Sequence, residues 1–242
     1  WDEKLGEAVG EALGEEAAAQ EVAVLLGPGL NIQRSPLCGR DFEYFSEDPI
    51  LAGRMAAAYV RGIQKNGISA CPKHFAVNSQ ELRRMASDSI VDERTLREIY
   101  LTGFEMVVKE AQPKTIMSAY NLINGTYANE NAHLLMDNLR KDWGFDGAVV
   151  TDWGGSNDHA LGVKNGSTLE MPAPGGDAVR ELLKAVETGK ITEADVDARL
   201  DELLTLVLDT HAAVENHSRE FDADAHHALA RRAAAESTVL LK

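Results

Sequence analysis

The sequence predicts a parallel α/β fold, because amphipathic helical segments alternate with short apolar runs at a spacing of roughly 30 residues. Polar or charged residues follow nearly every apolar run: Lys73 and His74, Tyr120 and Asn121, Asp152 and Trp153, and Glu170. In (β/α) barrels such residues from several strands meet at one face. A doubly wound sheet usually has a Gly-rich loop after its first strand, and this chain has none. We therefore expect a (β/α) TIM-like barrel, incomplete or collapsed.

Two kinds of periodicity predict the individual elements. Helical spacing of apolar residues predicts helices at about 5–19, 50–66, a stretch after the candidate N-cap Asp92, 131–143, 176–188 and 193–210. Short apolar runs predict buried strands at 21–30, 69–76, 115–120, 147–152 and 168–172. These strands do not fill a barrel of eight, so other strands are cryptic, the barrel is collapsed or the chain is incomplete. Residues 1–210 would form the barrel, and residues 211–242 a linker and terminal helix leading toward a second domain.

Composition excludes several classes of protein. The chain has 242 residues, 44% of them apolar, and a formal net charge of −15, which is a globular composition. The acidic balance argues against nucleic acid and anionic membranes as partners, and no apolar run is long enough to cross a bilayer. The acidic N-terminal stretch does not resemble a signal peptide, and Cys38 and Cys71 form no CxxC motif. We therefore expect a reducing, cytoplasmic location.

Common cofactor and metal motifs are absent from the sequence. It contains no GxGxxG, Walker A, HExxH or GxSxG pattern and no ligand spacing typical of zinc. The sequence therefore predicts no cofactor and no metal site.

Asp152 and Trp153 follow the apolar run AVVT. A carboxylate at a barrel mouth suits covalent or electrostatic catalysis on a sugar, and an indole offers an apolar surface for the sugar ring. The alternative interpretation is that Asp152 is only a helix N-cap.

Three basic or polar residues are further candidates. Lys73 and His74 could donate hydrogen bonds to a polyhydroxylated ligand, or Lys73 could form a Schiff base. If the strand continues through them, at most one of the two faces the barrel interior. Arg40 could hold a sugar diol. Their structural alternatives are a Lys–carboxylate pair, a buried histidine and a loop salt-bridge cluster.

Taken together, several stretches resemble glycoside hydrolase family 3, in its β-glucosidase branch. They occur in family order: LLGPGLNIQRSPLCGRDFEYFSEDP, ACPKHFAVNSQELRR, VDERTLREIYLTGFE, IMSAYNLINGTYANEN, WGFDGAVVTDWGG and TLEMP. The resemblance covers almost the whole chain, and it implies retaining hydrolysis of β-glycosidic bonds without a cofactor.

The resemblance also implies roles for single residues. Asp152 matches the catalytic nucleophile of the family, and Trp153 matches an aromatic residue beside the leaving-group subsite. The other matches would contact the sugar or line its pocket: Arg40, Lys73, His74, Arg84, Met117 and Tyr120. The implied partner is a small carbohydrate, a β-glucoside or oligosaccharide.

Some family features have no counterpart in this sequence. An aspartate on the first barrel strand would precede residue 1, and the acid/base glutamate would come from a following α/β domain or another chain. The loop AVNSQELRR after KHF lacks the His–Asp acid/base of the family's N-acetylglucosaminidases, and TLEMP replaces the commoner DLEMP. We therefore expect exposed strand edges and either aggregation or a binding partner for the isolated chain.

Two functions from other classes stay open. A non-catalytic sugar-binding barrel or pseudoenzyme would keep the pocket without an acid/base residue. A Schiff-base aldolase would use Lys73, but the order of the motifs argues against it.

Overall fold

The computed structural model describes residues 1–242 and is mostly helical. The helices are α1 (Glu3–Ala19), α2 (Pro49–Gln64), α3 (Glu93–Thr95), α4 (Thr102–Ala111), α5 (His159–Lys164), α6 (Gly176–Glu187), α7 (Glu193–Asn216) and α8 (Ala223–Ser237). π-Helical stretches cover Leu96–Leu101 and His133–Asp142, and 3₁₀ turns cover Asp41–Glu43 and Ala128–Glu130. The short strands are β1 (Val24–Leu25), β2 (Ser69–Ala70), β3 (Asp88–Ser89), β4 (Thr115–Met117), β5 (Leu122–Ile123), β6 (Thr126–Tyr127) and β7 (Ala148–Val150). None of the helices combines the length and apolar character needed to span a bilayer.

Side-chain caps explain where most helices begin. The caps of α1, α2, α3, α5, α7 and α8 accept hydrogen bonds from backbone N–H groups of the first turn, and they are Asp2, Asp48, Asp92, Asp158, Thr192 and Asp222. Such bonds satisfy donors that the first turn leaves unpaired. The predicted N-cap role of Asp92 is confirmed.

Four of the strands form a parallel row. β1 pairs with β2 and β4 pairs with β7, all in parallel. Phe75 bridges to Ser118, and the Thr115 hydroxyl donates to the Ala70 carbonyl at 2.9 Å, so β2 and β4 are neighbours. Leu169 adds a single bridge beside β7. The predicted parallel pairing is therefore present, but no pairing joins Leu169 back to β1, and the barrel stays a prediction.

The strands are much shorter than the apolar runs that predicted them. Regular pairing at β2 ends at Ala70, whereas the sequence predicted a strand over 69–76. Beyond it the chain still bonds to its neighbours, but irregularly: Met117 N–H donates to the Pro72 carbonyl and Phe75 N–H to the Met117 carbonyl. These runs are apolar because they are buried, and a buried segment need not form a regular ladder of hydrogen bonds between strands.

The sequence analysis missed the hairpin of β5 and β6. Its turn is Asn124–Gly125, both with positive φ, and β5 also pairs with β3 in parallel. Asn-Gly between two pairs of residues that favour strands, Leu122–Ile123 and Thr126–Tyr127, is a strong short hairpin signal, so the sequence carried the information.

α1 and α2 pack with their backbones almost in contact. A Cβ atom at Gly10 would lie 2.3 Å from the Tyr59 carbonyl oxygen, and one at Gly62 would lie 2.1 Å from the Glu7 carbonyl oxygen. Ala17, Ala56 and Val60 belong to the main core of 28 buried residues. This close approach holds the first two helices against the row of strands.

Gly10→Ala should lower the free energy of unfolding by about 1–3 kcal/mol, because the new methyl group must push α2 away. Gly6→Ala is the matched control in the same helix, since its Cβ would approach the flexible Met55 Cε at 3.0 Å and the Ala58 Cβ at an ordinary 4.0 Å, with no backbone atom in reach. Urea unfolding of both variants measures the difference. Equal midpoints would contradict the close-packing argument.

α8 docks on α1 through one histidine. His226 places Nδ1 2.7 Å from a Glu16 oxygen and Nε2 3.2 Å from a Glu15 oxygen, and its ring stacks on Phe221. Both ring nitrogens can donate to carboxylates only in the protonated form. Burial by itself would lower the pKa of His226, but hydrogen bonds to Glu16 and Glu15 raise it above its usual range.

The predicted boundary between the barrel, residues 1–210, and the linker with its terminal helix, residues 211–242, lies within the continuous α7. This boundary stays a prediction.

The docking of α8 should weaken as pH rises. The pKa of His226 is higher when α8 is docked on α1 than when it is not. The stabilisation of docking by His226 is therefore complete below the ordinary pKa of histidine, and it is lost as the pH rises through the raised pKa. Hydrogen exchange of the α8 amides, corrected for intrinsic rates, should show less protection at high pH.

His226→Gln should remove most of this pH dependence, because glutamine cannot be protonated. His227→Gln is the control, since His227 is exposed on the same turn. If both variants keep the wild-type pH dependence, another group controls the docking.

Candidate active site

The predicted site residues gather at the carboxyl ends of the parallel strands. Asp152 follows β7, Tyr120 follows β4, and Lys73 and His74 follow β2. Arg40 comes from the loop after β1, at the start of the 3₁₀ turn Asp41–Glu43. Because β2 ends at Ala70, strand alternation does not separate Lys73 from His74, and both belong to one cluster.

His74 is buried, and its backbone and both of its ring nitrogens have polar partners. It is 1% exposed, and Asn31 makes two hydrogen bonds to its backbone, at 2.7 and 2.9 Å. Arg40 Nη2 lies 3.1 Å from its Nε2, and Tyr44 Oη lies 3.2 Å from its Nδ1. A guanidinium only donates, so Nε2 is the acceptor and Nδ1 carries the proton. Burial, together with the charges of Arg40, Lys73 and Arg84, lowers the pKa of His74 to about 2.

Glu43 joins the two cations of the cluster. One of its carboxylate oxygens accepts from Arg40 Nε, and the other lies 3.9 Å from Lys73 Nζ. All three side chains are about four-fifths buried, with 19–21% of their surface exposed. The salt-bridge interpretation is therefore correct for both Arg40 and Lys73. It does not exclude a ligand role, because Arg40 Nη2 and Lys73 Nζ are donors that lie beside His74 and the Glu43 carboxylate.

Asp152 holds a carboxylate that the protein only half satisfies. The residue is 8% exposed, and its Oδ1 accepts from the Trp153 N–H at 2.8 Å. Its Oδ2 is buried without a hydrogen-bond partner and lies 3.5 Å from His74 Nε2, which carries no proton. The helix after β7 is capped by Asp158, so the N-cap interpretation of Asp152 is wrong. An unpaired buried carboxylate oxygen is costly, and such atoms deserve a functional explanation.

Tyr120 and Arg84 border Asp152 on one side. The Tyr120 hydroxyl donates to the Trp153 carbonyl at 2.8 Å, and the Arg84 guanidinium lies 4.6 Å above the Tyr120 ring. Burial and the Asp152 carboxylate raise the pKa of Tyr120 to about 12. Arg84 also pairs with Glu81 at 2.8 Å, and the Trp153 side chain is 41% exposed.

Met117 lies in a small apolar cluster beneath the site. It is buried with Cys71 and Val150, and Val24 and Met171 pack against the three. These five residues lie just after β2, on β4, on β7, on β1 and just after Leu169, so the cluster joins neighbouring strands of the row. Burial raises the pKa of the Cys71 thiol to about 12, which keeps it protonated.

Glu130 is an important residue that the sequence analysis did not identify. It is 3% exposed, and one carboxylate oxygen accepts from the N–H groups of Asn157 and Asp158, at 2.7 and 3.1 Å. Burial raises its pKa despite these bonds. The two hydrogen bonds that Glu130 accepts fix the loop between Asp152 and α5. Only the spatial contact reveals this, because 27 residues separate Glu130 from Asn157.

Glu130→Ala should destabilise the protein by about 1–3 kcal/mol, because two partly buried N–H groups lose their acceptor. Glu130→Gln keeps an acceptor oxygen and should cost clearly less. Urea unfolding gives the two free energies, and hydrogen exchange at 156–158 reports the loop. Equal losses in both variants would contradict the role of the acceptor oxygen.

A cavity of about 470 Å³ lies elsewhere, at the amino ends of β4 and β7. Its lining includes the ion pair of Lys114 and Asp209, but it includes none of the predicted site residues. We assign the site by its chemistry rather than by volume. No group of three metal-ligating side chains occurs in the structure.

Comparison with known proteins defines the class. Residues 1–206 match the glycosyl hydrolase family 3 N-terminal domain. Thermostable beta-glucosidase B of Acetivibrio thermocellus is 52% identical over 244 residues, covering 100% of this chain and 32% of that protein. Exo-alpha-(1->6)-L-arabinopyranosidase of Bifidobacterium longum is 47% identical over 242 residues, with coverages of 100% and 32%. The structure of beta-glucosidase 3B from Thermotoga neapolitana in complex with glucose superposes with a TM-score of 0.96 at 43% identity, covering 100% of this chain and 35% of that one.

The chain therefore belongs to glycosyl hydrolase family 3, and the resemblance drawn from the sequence motifs is confirmed. It spans about a third of the length of the relatives it matches, 32% of the two curated proteins.

Proposed function

We propose that this chain supplies the nucleophile and most of the sugar-binding side chains of a retaining β-glucosidase. The observation that carries the proposal is the Asp152 carboxylate, which is buried at the carboxyl end of β7 with Oδ2 unpaired. Family membership and the named relatives support the same chemistry. The (β/α) barrel over residues 1–210 is part of this proposal.

The proposed reaction has two displacements at the anomeric carbon. An Asp152 oxygen attacks this carbon, the bond to the leaving oxygen breaks, and an acid/base carboxyl group protonates that oxygen. Water then attacks the same carbon, the ester to Asp152 breaks, and the proton returns to the acid/base group. We assign the acid/base glutamate to a complementary α/β domain or chain, at roughly 5–5.5 Å from Asp152.

The surrounding side chains would bind the sugar. Arg40, Lys73 and Arg84 offer charged donors to hydroxyl groups, and His74 can exchange its Arg40 bond for a sugar hydroxyl. We propose Tyr120 and Met117 as walls of the pocket and Trp153, which is exposed, as the surface beside the leaving group. The sugar is a β-glucoside or short oligosaccharide. The name of the Bifidobacterium longum relative makes an α-L-arabinopyranoside the alternative substrate.

A non-catalytic sugar-binding barrel is the second candidate. The relatives favour the enzyme, because they are named as glycosidases, whereas in a binding module the unpaired Asp152 oxygen would only accept a hydrogen bond from a sugar hydroxyl. A cytoplasmic location stays a prediction from composition.

Asp152→Asn should abolish covalent labelling by a 2-fluoro-glucoside with a very good leaving group. This reagent needs little acid assistance, so it tests the nucleophile separately from the acid/base group. The intact mass of the wild-type protein should rise by one fluoroglucosyl group, on the peptide containing Asp152. Labelling of the variant should be at least about a thousandfold slower.

Asp146→Asn is the control, because Asp146 is exposed near the amino end of β7 and should label normally. A folded wild type that binds glucose but never forms the adduct would favour the binding module. An adduct with the matching arabinopyranoside alone would reassign the sugar.

A further inference from the structure

We propose that Glu43 and Tyr44, at the end of one 3₁₀ turn, are positioning residues that hold Arg40, Lys73 and His74 in a single sugar-binding arrangement. This inference rests on the proposed function, because it concerns the same site. Neither residue needs to touch the sugar.

Glu43 sets the distance between the two cations. Arg40 and Lys73 lie on separate loops, after β1 and after β2. Backbone hydrogen bonds join Lys73 to Pro28 and Leu30 at the start of the first loop, but these bonds do not include Arg40, which lies further along it. Each oxygen of Glu43 faces a different cation, and the carboxylate is largely buried. Without it, two like charges of low solvent exposure would repel each other beside a neutral histidine. The amide of Glu43→Gln could still accept one bond but would not balance the charge.

Tyr44 stabilises the tautomer of His74 that the Arg40 hydrogen bond requires. Its hydroxyl oxygen accepts from the protonated Nδ1, and the two rings meet edge to face with centroids 6.2 Å apart. Tyr44 is itself fixed by packing, since a Cβ atom at Gly29 would lie 2.9 Å from its ring. With the Nδ1 proton held there, the Nε2 lone pair faces Arg40 and the Asp152 side of the cluster. Without this acceptor, the proton can move to Nε2 and donate to Asp152 Oδ2, which would compete with Arg40 and occupy the nucleophile.

The test of Glu43 compares glucose binding with the chemical step. In Glu43→Gln, the calorimetric Kd for glucose should rise roughly tenfold to a hundredfold, as expected for a lost charged hydrogen bond. The labelling rate at saturating 2-fluoro-glucoside should change only severalfold. Glu43→Asp should recover part of the affinity, and Glu47→Gln, an exposed change in the same loop, should bind like wild type.

The test of Tyr44 reads the tautomer directly. In ¹⁵N spectra, wild-type His74 should be neutral and protonated on Nδ1, and Tyr44→Phe should shift it toward the Nε2-protonated form and weaken glucose binding. Tyr59→Phe is the control, because Tyr59 is half-buried and its hydroxyl makes no hydrogen bond in the structure.

The outcomes separate this inference from the proposed function. Variants that bind glucose like wild type, with His74 still protonated on Nδ1 in Tyr44→Phe, would overturn the inference alone. A wild type that neither binds glucose nor accepts the label would overturn the proposed function and the sugar-binding part of the inference. The tautomer measurement would then still decide whether Tyr44 orients His74.

Discussion

The hydrogen bond from Arg40 to Nε2 of His74 determines which ring nitrogen of this buried histidine carries the proton. Because a guanidinium has no lone pair to offer, this contact requires a neutral imidazole with its proton on Nδ1. That proton needs the Tyr44 oxygen, and the 3.5 Å approach of Nε2 to Asp152 cannot be an ion pair. The Asp152 Oδ2 atom thus has no hydrogen-bond donor from the protein, which leaves it free for the proposed attack on the sugar.

The sequence was informative wherever a structural signal is local. Helical periodicity and the Asp92 cap predicted most helices to within a few residues, but α7 continues to Asn216 rather than ending near 210, and α5 was not predicted. Gly144, with φ of 76°, ends the π-helical stretch near the predicted position. The Asn124–Gly125 turn was equally local and could have been found. Apolar runs overestimated the strands, because burial and regular pairing both select the same residue types.

The site was predicted only in part, for the same physical reason. Polar residues after apolar runs located Lys73, His74, Tyr120 and Asp152, since parallel strands end at one edge. The partners that orient them come from distant positions: Tyr44 lies 30 residues before His74. A glutamate on a turn or a buried glutamate beside a strand has no distinctive local pattern, so Glu43 and Glu130 could be recognised only from the fold.

The loop after Asp152 is tied to its surroundings at three places. The Trp153 carbonyl accepts from Tyr120, the Gly154 N–H donates to the Met171 carbonyl, and Glu130 holds the N–H groups at 157 and 158. Folding has therefore already removed the conformational freedom of the backbone that carries Trp153. A ligand that stacks on this indole restricts little more than the indole's own rotation, so the entropy loss that usually weakens binding to loops is small here.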